Sequence, residues 1–182
     1  IAQCLVGSEM CIRDRYISEI VDDFNIMNPI DYCNNPTVNL ITHRYYEICK
    51  KNNINFTISI KNANIDFIKE HDITALLDNL LENAVESALM TNEKFIDFSI
   101  STRNSNFVII KISNSCNKKP KYIDGTLVSS KSTSGMHGIG TRSIKRVVEK
   151  YNGNLEMKFD NDTKTFTSVI GINSNLPSNN QS

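Results

Sequence analysis

The chain has 182 residues, 20 of them basic and 20 acidic, for a formal net charge of zero. That balance supplies no bulk field for nucleic acid or an anionic membrane. No apolar run approaches the roughly 20 residues that a bilayer-spanning helix needs. Apolar residues make up 40% of the chain, enough for one domain with its own core. The five cysteines (Cys4, Cys11, Cys33, Cys49, Cys116) fit neither zinc-ligand spacing nor a secreted disulfide framework, which points to a reduced, cytosolic setting.

Residues 5–15, LVGSEMCIRDR, resemble the translation of a sequencing-library adapter, so residues 1–15 are set aside as a tag would be. Tyr16, Ile17, Ile20, Val21 and Phe24 recur near helical spacing. Residues 16–30 are therefore expected to be the remnant of an upstream helix and its linker, with Pro29 and Pro36 marking loop boundaries. Residues 37–51 predict a helix with Val38, Ile41, Tyr45 and Ile48 on one face and Pro36 in its first turn. INFTISI (54–60) alternates as a strand does. Residues 72–90, DITALLDNLLENAVESALM, predict a long helix with Asp72 as its cap.

FIDFSIST (95–102) and FVIIKIS (107–113) predict a hairpin across RNSN. Residues 114–137 show no usable periodicity and predict a long functional loop. Residues 140–151 return to helix, stopped by Asn152 and Gly153. LEMKFD (155–160) and TFTSVIGI (165–172) predict a closing hairpin across Asn161 and Asp162, and residues 175–182 a flexible tail. This order implies an α+β fold, a two-layer sandwich with helices on one face of a mixed sheet, as one domain over residues 31–174.

Two segments carry chemistry. Asn79 and Asn83 lie four apart on one face of the long helix, with Glu86 close to that stripe. Asn is unfavourable in a helix interior by about 0.5–0.7 kcal/mol relative to Ala, so the pair calls for a use. Their amide oxygens suit Mg2+, although caps or core cross-links are the plainer alternative. In SGMHGIGTRSIKRVVEKYNG (134–153), Gly135, Gly138 and Gly140 flank His137 directly before a helix. Bare backbone amides at a helix start suit phosphate, and Lys131 could reach terminal phosphates from the preceding loop. A simple helix-start turn is the alternative there.

NLLENA followed by SGMHGIGTRSIKRVVEKYNG resembles the N box and second glycine box of the GHKL ATPase superfamily, which includes gyrase and the sensor histidine kinases. SSKSTSGMHGIG and VVEKYNGNLEMKFD resemble in particular the AgrC-like, peptide-sensing and quorum-sensing branch. The resemblance runs from about residue 31 to residue 177. It implies the Bergerat fold, with ATP held between the long helix and a mobile lid. It makes Asn83 the Mg2+ ligand, with Asn79 on the nucleotide face and both in the catalytic machinery. It brings Gly138 and Gly140 to the phosphates, puts His137 and Lys131 in the lid, and matches Thr165 to a nucleotide-contacting threonine. The family's adenine box usually begins Asp-x-Gly-x-Gly, whereas this chain has NSCNK, with Asn114 in the aspartate's place. Glu86 stands where the N box usually has a basic residue.

Hydrolysing members carry a glutamate general base one turn before the Mg-binding asparagine. Here that position is Asn79, which cannot take a proton, so ATP hydrolysis and serine phosphorylation are disfavoured. A histidine kinase needs no such base, because a neutral imidazole attacks the γ-phosphate. None of His43, His71 and His137 is placed as the phosphoacceptor, which is expected on dimerisation helices lying upstream of these residues. The resemblance also implies a response regulator as partner and a cytoplasmic position, with membrane attachment only through an upstream sensor region. The fragment is expected to bind ATP as a monomer without phosphorylating itself. A non-catalytic nucleotide-dependent interaction module and a structural protein are the competing readings.

Overall fold

The computed structural model describes residues 32–61, 63–104, 106–117, 121–123, 126–128 and 139–175. The helix expected over residues 16–27, the boundaries at residues 15 and 30, and the tail beyond Asn175 lie outside them. Helix α1 (Pro36–Lys51) opens with the Asn35 side chain accepting the Val38 N–H at 3.1 Å. Pro36 fits the first helical position because its missing N–H would have had no partner there. Strand β1 (Asn55–Lys61) leads to helix α2 (Glu70–Leu89), then to strands β2 (Phe95–Arg103) and β3 (Phe107–Ser115). Short strands β4 (Lys121–Ile123) and β5 (Thr126–Val128) precede helix α3 (Ile139–Lys150) and strands β6 (Asn154–Asp160) and β7 (Thr165–Asn173).

Three sequence expectations are corrected. Asp72 does not cap α2: the helix begins at Glu70 with Lys69 as its cap, which places Asp72 inside the first turn. Strand β3 runs on to Ser115, so Asn114 is a strand residue rather than the start of a loop. The segment expected to be all loop contains the antiparallel β4–β5 ribbon. Three-residue strands are too short to show a period of two, so backbone pairing alone reveals them.

The sheet has the order β1-β2-β3-β7-β6. Strands β1 and β2 are parallel, which requires a crossover, and α2 supplies it. Every other pairing in that sheet is antiparallel. Alternation sorts the two faces. Ile96, Phe98, Ile100, Val108, Ile110, Ile112, Ile170 and Ile172 form one buried layer with the helices. Lys111, Thr167, Lys158 and their like stand on the opposite face. Helix α2 buries Ile73, Leu76, Leu77, Leu80, Leu81 and Ala84 in that layer, and α3 adds Ile144, Val147 and Val148. The result is the two-layer α+β sandwich. Cys33, Cys49 and Cys116 are free thiols, and burial pushes Cys49 up to about 11.

A polar anchor joins the start of α2 to the end of α3. Asp72, only 7% exposed, accepts hydrogen bonds at its Oδ2 from Lys150 Nζ and from the Tyr151 hydroxyl, each at 2.7 Å. The Lys69 N–H donates to that same hydroxyl at 3.0 Å, and the Phe67 ring meets Tyr151 edge-on. Burial works to raise the Asp72 pKa, but the Lys150 and Tyr151 hydrogen bonds overcome it and hold the carboxyl below its ordinary range. Burial, with Asp72 adding to it, pushes Tyr151 up to about 12. Immediately beyond, Gly153 lets the chain turn into β6, since a Cβ there would stand 2.9 Å from the Gly171 carbonyl.

A depressed carboxyl stabilises the fold at every pH above its unfolded value, and that contribution is lost as pH falls through the folded value. Asp72→Asn should therefore lower unfolding free energy by about 2 kcal/mol near neutral pH, because Lys150 loses its buried partner. Urea titrations at about pH 7 and about pH 3 should show the gap between the two chains narrowing in acid. An equal gap at both would show that the charge of Asp72 is immaterial.

Candidate functional site

Helix α2 presents a different flank to each neighbouring helix. On the α1 side, Arg44 pairs with Asp78, and the Tyr45 hydroxyl donates to the Asp78 carbonyl at 3.1 Å. On the α3 side runs a stripe of Asn79, Asn83 and Ser87, spaced by four residues and so stacked along one face. The stripe covers about 12 Å of helix at ~1.5 Å per residue.

At its first end, Asn79 is half-buried and its amide nitrogen donates to the Ala75 carbonyl. Its oxygen lies against Gly140 in the first turn of α3, 2.8 Å from where a Cβ would stand. Asn83, one turn on, is exposed. At the far end, the Ser87 hydroxyl donates to the Ser115 carbonyl at 3.2 Å. That carbonyl also accepts from the Asn114 amide nitrogen at 2.9 Å. Asn114 is 3% exposed and sits on β3 opposite Phe166 of β7, on the helix-facing side of the sheet.

The structure thus sets Asn79 against Gly140 at one end of the stripe and, through Ser87 and the Ser115 carbonyl, Asn114 at the other, with Asn83 exposed between them. It does not bring Thr165 there. Thr165 borders an open depression of about 440 Å³ on the opposite face of the sheet, with Lys111, Glu156, Lys158 and Thr167. Its side chain alternates with that of Phe166, which faces the helices. Lys131, His137 and Gly138 lie outside the described residues. Glu86 turns toward the α1 side, beside Arg44 and Glu82. His43 is half-buried on α1 and stacks on Tyr46, while His71 is exposed 3.4 Å from Asp72.

Among the described residues, no group of three His, Cys, Asp or Glu side chains could hold a metal ion. The α2 stripe and the end of β3 offer neutral amide and hydroxyl oxygens instead. Ser87 and Ser115 were not apparent from the sequence as site residues. The four-residue step from Asn83 points to Ser87, whereas nothing local points to Ser115.

A two-layer sandwich whose Asn-bearing helix faces a glycine-started helix defines a nucleotide-binding class of fold, and the comparisons agree. A sequence model of the GHKL domain matches residues 68–172, and the chain belongs to that family. A curated relative, the probable C4-dicarboxylate sensor kinase of Bacillus subtilis (strain 168), is 29% identical over 112 residues. That match covers 58% of this chain, which spans 20% of the relative's length.

Among solved structures, the catalytic domain of histidine kinase ThkA superposes with a TM-score of 0.59 at 16% identity, covering 78% of this chain and 92% of that one. The mycobacterial sensor histidine kinase MprB gives 0.54 at 14% identity, covering 73% and 93%. The fold is that of histidine kinase catalytic domains. No helix among the described residues is long and apolar enough to cross a membrane.

The Gly140–Asn79 contact makes a double-mutant test available. Gly140→Ala gains about 1 kcal/mol of helix propensity but must displace the Asn79 amide, so stability should change little. With Asn79→Ala in the same chain the displaced group is gone, and the propensity gain of about 1 kcal/mol should appear in full. Additive effects of the two substitutions in urea denaturation would show that the contact does not couple the helices.

Proposed function

We propose that this chain is the catalytic, ATP-binding domain of a sensor histidine kinase, which transfers the γ-phosphate of ATP to a histidine on a dimerisation helix. The observation that carries this reading is the Asn-bearing face of α2 in a GHKL domain, with Asn79 against Gly140 of α3 and Asn83 exposed one turn on. In this reading the base meets Asn114 at the β3 end and the phosphates run along the Asn stripe toward the start of α3. Lys131, His137 and Gly138 complete the phosphate end, and Thr165, on the opposite face of the sheet, takes no part.

Asn83 fits a role as the protein ligand of Mg2+. It is exposed on the stripe, and its neutral oxygen suits a hard cation that takes most of its other ligands from phosphate and water. When bound, Mg2+ would neutralise charge on the transferring phosphates.

The chemistry asked of the chain's own residues is positioning. A neutral imidazole attacks phosphorus in line, the bond to the ADP oxygen breaks, and no water need be activated. Asn79 agrees with this, since an amide that donates to Ala75 cannot serve as a general base. The phosphoacceptor is then supplied by a dimerisation helix rather than by His43 or His71. The phosphoryl group passes on to a response regulator, and the sensor region provides the link to a membrane.

The AgrC-like, quorum-sensing branch is the finer assignment. Asn114 in place of the usual aspartate and Glu86 in place of the basic N-box residue support it. The same departure at Asn114 keeps a second reading in view, a nucleotide-dependent interaction module without phosphotransfer.

Titration calorimetry of ATP into the chain should show binding in Mg2+ that weakens on adding EDTA. Asn83→Ala should lose at least about tenfold of the Mg-dependent affinity, or about 1.4 kcal/mol, with an unchanged circular dichroism spectrum. Undiminished Mg-dependent binding in Asn83→Ala would remove the ligand assignment. Radiolabelled phosphate reaching a supplied acceptor-helix dimer separates the kinase from the interaction module.

A further inference from the structure

The two edges of the five-stranded sheet, β1 and β6, are built differently. Strand β6 exposes Glu156, Lys158 and Asp160 at alternate positions. Charges along an edge discourage pairing with another chain. Strand β1 exposes Asn55, Thr57, Ser59 and Lys61 in the same way, so its only charge stands at its last residue. It has no proline, and its register with β2 runs unbroken by a bulge.

One bond fixes where the backbone groups of β1 point. The Asn55 N–H donates to the Lys94 carbonyl at 2.9 Å, toward β2. The N–H and C=O of a strand residue point the same way, and successive residues alternate. Asn55, Thr57, Ser59 and Lys61 therefore bond to β2, while Phe56, Ile58 and Ile60 aim their N–H and C=O groups at the open edge. Among the described residues no strand pairs with that edge. The side chains of Phe56, Ile58 and Ile60 are half-buried against the core, with the Phe56 ring stacked on Phe98. The edge thus combines unpaired backbone with an apolar row.

A second copy of β1 fits this edge in one antiparallel register. With Ile58 opposite Ile58, the open groups of all three residues find partners. Phe56 then stands opposite Ile60, an aromatic and β-branched pair of the kind that stabilises sheets. On the other face Thr57 meets Ser59 and Asn55 meets Lys61, so no like charges are opposed. A slip of two residues leaves open groups unpaired. A slip of one sets them against groups already bonded to β2. The same strand serves both sides, so the pairing is two-fold and closes on itself.

We infer that the β1 edge is a docking surface for a second copy of this chain, which joins two sheets into one across a two-fold axis. The contact is one strand wide, smaller than a permanent dimer interface, so association is weak and depends on concentration. It departs from the monomer that the sequence led us to expect. It involves neither Asn83 nor Gly140, so it stands apart from the nucleotide reading.

Sedimentation velocity of the full chain, from micromolar to millimolar concentration, tests it. The unaltered chain should pass from monomer to dimer and no further, because the β6 edge is charged. Thr57→Lys with Ser59→Lys sets lysine opposite lysine twice in this register and should weaken the dimer at least about tenfold. Thr57→Lys with Ser59→Glu sets opposite charges together and should dimerise as well as the unaltered chain. Both positions are exposed and face away from the core, so circular dichroism should be unchanged.

A monomer throughout, growth beyond the dimer, or a dimer indifferent to the paired lysines overturns the inference. Equal losses in the two variants do so as well. Hydrogen exchange on the unaltered chain needs no variant. The amides of Phe56, Ile58 and Ile60 should exchange more slowly as concentration rises, and rates that ignore concentration overturn the inference.

Discussion

The rotation of α2 about its own axis is the constraint on which the rest of the molecule depends. Its apolar side is pressed into the sheet by Leu76, Leu77, Leu80, Leu81 and Ala84, all nearly inaccessible to water. A close-packed interface of that size leaves no freedom to turn the helix without opening cavities. With that side committed, the flanks are assigned. Asp78 must face α1, where Arg44 and Tyr45 meet it, and Asn79, Asn83 and Ser87 must face α3 and the end of β3. The polar stripe is aimed by leucines that never touch a ligand.

Helix α3 is then set against that stripe at both of its ends by different means. At its C-terminal end the buried Asp72 carboxylate gathers Lys150 and Tyr151. Such a group is costly to bury and tolerable only because its partners are complete. At its N-terminal end the missing side chain of Gly140 stands beside the Asn79 amide. One contact is electrostatic and directional. The other is steric, and it would respond to any shift of the glycine-rich start of α3.

The departures from the superfamily pattern acquire physical sense together. Asn79 removes a base from the stripe, which suits transfer to an imidazole more than transfer to water. Asn114 exchanges a charged acceptor for a neutral one, and its amide nitrogen donates to the Ser115 carbonyl beside it. Asn79, Asn83, Ser87 and Asn114 carry amides and a hydroxyl, which place donors and acceptors by geometry, without the long-range pull of net charge.

The element pattern was legible in the sequence because it rests on local periodicity. The alternation in INFTISI, the apolar spacing of α2 and the Asn152-Gly153 stop all act within a few residues, and each element lies where its pattern indicates. The Asn pair and the glycine before α3 were legible for the same reason, as residue types unfavourable or unusual in a helix. What the sequence could not show is pairing across distance. Asp72 has the composition of a helix cap and becomes a buried anchor only because Lys150 and Tyr151, 78 and 79 residues away, arrive beside it. Thr165 looks as eligible as any strand residue, yet the pleat of β7 sends it to the face away from the helices. Ser115 and Thr91, 24 residues apart, become one hydrogen-bonded unit only when the end of β3 closes over the end of α2. Local preference chose the elements and most of the site's residue types. Tertiary packing decided which of them meet, because contact depends on helix rotation and strand face, and those are properties of the assembled layers.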